Sequence, residues 1–377
     1  MKKILVLKSP LHDQKSVLQV RRGLMDALKE WGVEICDPTD NISEDVVCFI
    51  GTGGTEETFR ECYDKLKAPI TILSDGYHNS LAASFEIASF LEQKGIPHKL
   101  VNIPLDCNDF GQYKELFEDD LSVYDNPKVK KYLSESVIGL VGGASSWLIS
   151  SDIDKESVSK RFGARFIDIP IKELEDAYKS LSSASTPLAE AERMYVALKS
   201  IVSKYELTAL TIKCFDLLKP CGTTACLALS KLNDEGIISG CEGDIPTMWT
   251  MMVAYAMTGK APFMANPSSS DIGKNTVDFA HCTIPLNMVS SYALTTHFES
   301  GIGIGIKGKL PEGEYYVMKI GGRNLEKLFM VKGHIICNTE IKERCRTQVR
   351  FEFATSQDFS AFMAKRLGNH IVLFPTD

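Results

Sequence analysis

Short apolar runs alternate with helix-length amphipathic runs through the first two-thirds of the chain. This alternation constrains the fold more than any other feature. Ile4-Leu5-Val6-Leu7 is followed by a helical pattern over residues 17–31. Val46-Val47-Cys48-Phe49-Ile50 runs through Gly51-Thr52-Gly53-Gly54-Thr55 into a second helical pattern. Ile70-Thr71-Ile72-Leu73 and Lys99-Leu100-Val101 continue the series, as do Val137-Ile138-Gly139-Leu140-Val141 and Phe166-Ile167-Asp168-Ile169 beyond a polar stretch at 119–131. Strand-sized apolar segments separated by helices give a doubly wound parallel sheet.

Beyond about residue 275 the texture changes. Strand-like runs at 276–279, 301–306, 315–320, 328–331, 335–337 and 348–353 are punctuated by Gly and Pro. One late helical pattern falls near 358–366. We expect an antiparallel β-barrel or sandwich here. A chain of 377 residues exceeds one ordinary core. The expected domains are an N-terminal α/β domain (1–134), a second α/β domain (135–274) and a C-terminal β domain (275–377).

Composition narrows the function classes. Apolar residues make up 44% and charged residues 24%, the balance of a folded protein. A net charge of -7 is the wrong sign for a nucleic-acid footprint. The longest apolar stretches are strand-sized, so no membrane partner is expected. The apolar run after Lys2-Lys3 is interrupted at Lys8, and no small-residue cleavage site follows. It reads as a first strand rather than a signal peptide, and the expected location is cytoplasmic. The eleven cysteines form no CxxC pair, so free thiols are expected rather than a zinc knot.

Three strand-to-helix junctions are placed to meet ligands: 51–55, 75–78 and 142–147. The first is neither a dinucleotide fingerprint nor a P-loop, and reads equally as a tight turn capped by Thr55. His12, His78, His98 and His334 have no partners in sequence and read as surface or packing residues.

The chemistry concentrates at Cys241-Glu242-Gly243-Asp244-Ile245-Pro246. Ile237-Ile238 starts a short strand, and Pro246 falls in the first turn of a helix, where proline is tolerated. Asp244 reads as the helix cap. Glu242 stands in an apolar setting, where a carboxylate is costly unless paired or metal-bound. Downstream lie Asn266, Asp271, His281, His297 and His370, the last in the apolar segment His370-Ile371-Val372-Leu373-Phe374. Glu, His and amide side chains suit a hard or borderline divalent cation such as Mn²⁺ or Mg²⁺. Lys213 and Cys214, just past an expected strand, are candidates for a cavity wall. Trp249 has the face to stack on a ligand, but its helical spacing with Ile245 and Met252 also fits a core residue.

These residues resemble L-fucose isomerase and, more loosely, L-arabinose isomerase. The shared pattern is a Glu at a strand-to-helix elbow, a helix ending in Thr258-Gly259, an apolar strand at 261–265, and the terminal Asn369-His370-Ile371. The resemblance implies two Rossmann-like doubly wound α/β domains followed by a mainly antiparallel β-barrel domain. It implies a metal held by Glu242 and His370, with His281 on the strand that carries a metal-binding His in arabinose isomerase. The metal would be Mn²⁺, with Mg²⁺ or Co²⁺ as alternatives. The family's second acid falls on Asn266, an amide that cannot act as a base, so Glu242, Asp271 or Asp244 would take more of the acid–base work. Lys213, Cys214, Trp249 and His297 are the expected substrate-binding residues. The implied reaction interconverts an aldose and a ketose through a cis-enediol, on a small sugar, in a homo-oligomer (trimer or hexamer). The competing readings are a non-catalytic sugar-binding or regulatory protein, and a metal-dependent epimerase or lyase acting on a modified sugar.

Overall fold

The structure is a computed structural model, and it describes residues 2–38, 40, 46–117, 122–183, 185–364 and 367–376. The chain divides into two compact units, Met1–Asp119 and Asp120–Asp377.

The first unit holds a five-stranded parallel sheet in the order Ile35–Cys36, Lys3–Leu7, Val46–Ile50, Ile70–Asp75, His98–Ile103. The strands are apolar on both faces because helices cover both. Leu5 and Leu7 join one core with Cys48, Ile50 and Ile87, whereas Ile4 and Val6 join another with Val47, Phe49 and Leu28. Alternate residues of one strand feed opposite cores, which is what a doubly wound sheet requires.

The second unit begins with a four-stranded parallel sheet in the order Arg165–Ile169, Val137–Val141, Ala209–Ile212, Ile238–Gly240. Six antiparallel strands then close a barrel: Phe263–Asp271, Thr276–His281, Thr347–Phe353, Lys327–Asn338, Gly313–Gly321 and Ile371–Pro375. Period-2 alternation sorts the barrel side chains. Phe263, Ala265, Val317 and Leu373 fill one apolar cluster with Phe279, Val349 and Phe351. Their neighbours Met264, Met318, Ile320, Val372 and Phe374 point the other way and pack with Trp249 and Met252. The helix Ile245–Thr258 is therefore buried on nearly all sides. Its Asp244 cap, Pro246 at the first turn and Gly259 at the C-terminal end define its length.

Boundaries depart from the sequence reading in several places. The helix Pro127–Ser134, expected in the first domain, puts Val129 and Leu133 into the core of the second unit. The barrel starts at Phe263 rather than at 275. The runs at 328–331 and 335–337 form one strand, Lys327–Asn338. Gly333 sits inside it because any Cβ there would overlap the Glu352 carbonyl and the Phe351 ring. The run at 301–306 contributes only its end, to the strand Gly305–Lys309 that pairs with Ser291–Thr295. The late helix spans Ser356–Ala364, and Arg366 lies outside the described residues, as do residues 119–121 of the polar stretch. Among the described residues no helix is long and apolar enough to cross a membrane.

Candidate functional site

The elbow after Ile238–Gly240 is a tight, pinned turn. Glu242 and Gly243 both take positive φ, +62° and +66°. For a glutamate this conformation costs about 1–2 kcal/mol. The turn is held from two sides: the Gly243 N–H donates to Ile212 O at 2.8 Å, and Ser145 N–H donates to Gly243 O at 3.1 Å. A Cβ at position 243 would come within 2.8 Å of Ser145 N and 2.9 Å of Gly143 O, so glycine is required there. The pinned turn fixes the direction in which the Glu242 side chain leaves the backbone.

That carboxylate meets two histidines. Glu242 Oε1 lies 3.5 Å from His370 Nε2 and 3.6 Å from His281 Nε2. Oε2 accepts from Trp147 Nε1 at 3.4 Å. His281 ends the strand Thr276–His281, and His370 immediately precedes the strand Ile371–Pro375. Their ring centroids are 5.2 Å apart. Each ring is oriented by its other nitrogen: His281 Nδ1 is 2.8 Å from Thr283 Oγ1, and His370 Nδ1 is 2.9 Å from Asp244 Oδ2. His370 is fully buried, yet its Nε2 has no hydrogen-bond partner.

A buried polar atom without a partner is unusual and needs a reason. A cation among Glu242, His281 and His370 supplies one, and imidazole with carboxylate is a donor set that borderline divalent ions accept. The residues present fit the group that the fucose-isomerase resemblance implies. The secondary contacts fit too, since metal-binding imidazoles commonly donate their other nitrogen to a carboxylate.

The electrostatics follow from burial and pairing. Burial would raise the Glu242 carboxyl, but His281 and His370 hold it well below the ordinary range. Burial would likewise raise Asp244, and Lys319 and His370 outweigh it. Burial lowers His370, and Asp244 and Glu242 reverse that. Lys319 is buried and pushed down by that burial, with its Nζ 3.6 Å from Asp244 Oδ2 and donating to Thr247 Oγ1.

Glu242 and His281 face a cavity of about 510 Å³. Asn266, Cys214 and His297 line the same cavity. Asn266 Oδ1 accepts from Asn369 Nδ2 at 2.8 Å. Four of the expected site residues are not among those lining it, and one of the four, His370, is the fully buried imidazole 3.5 Å from Glu242. Trp249 is fully buried between Phe162 and Phe166, with Nε1 donating to Tyr124 Oη at 2.9 Å, and is a core residue. Lys213 lies along Gly142 and Gly243 with its Nζ 3.6 Å from Asp216. Asp271 is exposed at the hairpin end of its strand, where Oδ1 accepts from Gly273 N and Oδ2 pairs with Lys274. Asp244 spends its carboxylate on the Thr247 amide and hydroxyl and on His370.

The sequence reading passed over Glu299 and Lys319, and included Trp147 only as the end of the ligand-facing junction 142–147. Trp147 and Glu299 line the main cavity. Lys319 lines an adjoining one of about 350 Å³ that shares Trp147 and Asn369 with it. Lys319 carried a signal of its own, a lone charge in the apolar run Val317-Met318-Lys319-Ile320. Glu299 stood in the run flagged for His297.

No family model matches the chain. Among curated proteins it is similar to the sulfoquinovose isomerase of Alkalicoccus urumqiensis, 25% identical over 224 residues, covering 53% of this chain and 50% of that protein. It is similar to the sulfoquinovose isomerase of Priestia megaterium, 23% identical over 235 residues, covering 55% and 53% respectively. A shorter match, 31% identical over 120 residues, joins it to the sulfoquinovose isomerase of a Clostridium species, covering 29% and 27%. The chain spans about half the length of the first two relatives and about a quarter of the third.

Proposed function

We propose that this protein is a metal-dependent aldose–ketose isomerase acting on a sugar of the sulfoquinovose type. The observation that carries the reading is Glu242 Oε1 set between His281 Nε2 and His370 Nε2, at 3.6 and 3.5 Å, on the wall of a sugar-sized cavity. The similarity to sulfoquinovose isomerases supports the reaction class.

In this reading Glu242, His281 and His370 hold a divalent cation, Mn²⁺ in the first instance. Bound there, the cation supplies Lewis-acid stabilisation of the negative charge that builds on the sugar's O1 and O2. The protein's own groups do the rest. Isomerisation moves a hydrogen between C1 and C2 and a proton between O1 and O2. The carbon-bound proton needs a carboxylate within reach. Asn266 cannot act, Asp271 is at the surface and Asp244 is committed to the helix cap and His370. Glu299 is the carboxylate besides Glu242 among the described residues lining the cavity, and we assign it the carbon proton. We assign the oxygen-bound proton to His297, which lines the same cavity with its Nδ1 2.9 Å from Ser300 Oγ. Asn266 and Asn369, hydrogen-bonded to each other, present amides for sugar hydroxyls. Trp147 braces Glu242 and offers an apolar face.

The test is incubation with sulfoquinovose and with L-fucose in deuterated water containing Mn²⁺, followed by NMR. We expect the ketose of at least one sugar, with solvent deuterium at the carbon that exchanges, and none with Glu242→Gln. No ketose from either sugar, with wild type and Glu242→Gln indistinguishable, would sink the proposal.

A further inference from the structure

The cavity is unusually rich in sulfur. Cys214, Cys226, Cys241, Cys282 and Cys345 all line it, although no two of them are in CxxC spacing. One of these thiols, Cys241, lies against the acid and histidine already described, and a second, Cys214, lies against Cys241. A sulfur of Cys241, a carboxylate oxygen of Glu242 and a ring nitrogen of His281 all lie within 4.8 Å of one another. Cys214 Sγ is 3.2 Å from Cys241 Sγ. The positions come from three places in the fold: the end of the strand Ala209–Ile212, the elbow after Ile238–Gly240, and the end of the strand Thr276–His281.

We infer that Cys214, Cys241, Glu242 and His281 form a second, softer metal site for a thiophilic divalent ion of the zinc class. The chemistry is in the donor set. Two sulfurs, one nitrogen and one oxygen match the four-coordinate preference of Zn²⁺, whereas Mn²⁺ favours oxygen and tolerates imidazole. On binding, each thiol gives its proton to solvent. Glu242 and His281 belong to both donor sets, so the two ions exclude one another. The hard set adds His370, and the soft set adds the thiols. A zinc-class ion therefore turns Glu242 from the His370 side to the Cys241 side. The protein discriminates between metals by which neighbours of Glu242 they recruit. The exclusion of Mn²⁺ rests on the cation site of the isomerase reading, whereas the thiolate band is read without Mn²⁺ or any sugar, so the two readings can fail separately.

The experiment is a Co²⁺ titration of the reduced full chain, followed by absorption. Thiolate ligation gives an intense near-ultraviolet charge-transfer band. We expect that band to saturate at one equivalent, to survive in Cys345→Ser, to vanish in Cys241→Ser and to fall by about half in Cys214→Ser. Zn²⁺ should bleach it, and should also release Mn²⁺ from a Mn²⁺-loaded sample, seen as the free-ion signal in electron paramagnetic resonance. If Cys241→Ser does not fold by circular dichroism, Cys214→Ser and the Mn²⁺ release decide. Absence of the band, or a band that Cys241→Ser and Cys214→Ser leave intact, overturns the inference, as does Zn²⁺ binding that leaves Mn²⁺ in place.

Discussion

His370 Nδ1 lies 2.9 Å from Asp244 Oδ2, so the carboxylate that caps the helix Ile245–Thr258 also orients a candidate metal-binding imidazole. One side chain thus connects the helix, the barrel's last strand and the cavity wall.

Asp244→Asn tests that connection. An amide still caps the helix, but it no longer presents two anionic oxygens to His370 and Thr247. Loss of a partner behind a metal ligand typically costs 10–100-fold in affinity. We expect Mn²⁺ affinity to fall by roughly that factor, by isothermal titration, with a stability loss of roughly 3 kcal/mol because Lys319 is left buried without its anionic partner.

Lys319→Met removes the buried cation beside Asp244. Breaking a buried pair from one side leaves an uncompensated charge, at a cost of roughly 3 kcal/mol. Urea unfolding should show that loss. A second change, Asp244→Asn in the Lys319→Met background, should recover part of it because the stranded charge is gone.

Glu299→Gln separates the carboxylate roles. If Glu299 handles the carbon-bound proton, the variant keeps its Mn²⁺ affinity and loses about 10²–10⁴-fold in kcat. Glu242→Gln should lose both metal binding and turnover. Steady-state rates paired with Mn²⁺ titrations distinguish the two patterns.

The barrel carries an acid-sensitive cluster. Asp278 is buried, which alone would raise its carboxyl, but Arg350 and Arg344 hold it below the ordinary range. The contacts are 2.7 and 3.0 Å from Arg350 and 2.7 Å from Arg344. A depressed carboxyl stabilises the fold fully above its unfolded value of about 3.9, and that contribution disappears as the pH falls through the folded value. Asp278→Asn should cost roughly 2 kcal/mol at neutral pH. Its stability should then fall less steeply than wild type below about pH 4, measured by urea unfolding at stepped pH.

The parts of the site legible in sequence share one signal, a polar residue placed against its surroundings. Glu242 sits in an apolar elbow, and His370 opens an apolar terminal strand. Lys319 shows the same mark and was passed over because no motif drew attention to its strand. Trp249 misled for the opposite reason: an aromatic on an apolar helix looks alike whether it faces a ligand or Phe162 and Phe166. Asp271 misled because distance along a strand is hard to feel in sequence. Five residues are about 16 Å of extended chain, enough to carry it from the cavity to the hairpin, and a bulge between Pro267 and Ser269 breaks the alternation on the way. The Trp147–Glu242 contact joins residues 95 apart and left no local trace. The first parallel sheet was legible because each of its longer strands is a compact apolar run between helices. The barrel was legible only as texture, since Gly333 split one strand into two apparent ones.

The most direct measurement is ketose formation from sulfoquinovose as Mn²⁺ is returned to the metal-stripped chain. The account predicts turnover that rises with Mn²⁺ and saturates at one equivalent per chain, and none in His370→Ala at any Mn²⁺ concentration that saturates wild type. Turnover that ignores Mn²⁺, or that His370→Ala leaves unchanged, would contradict it.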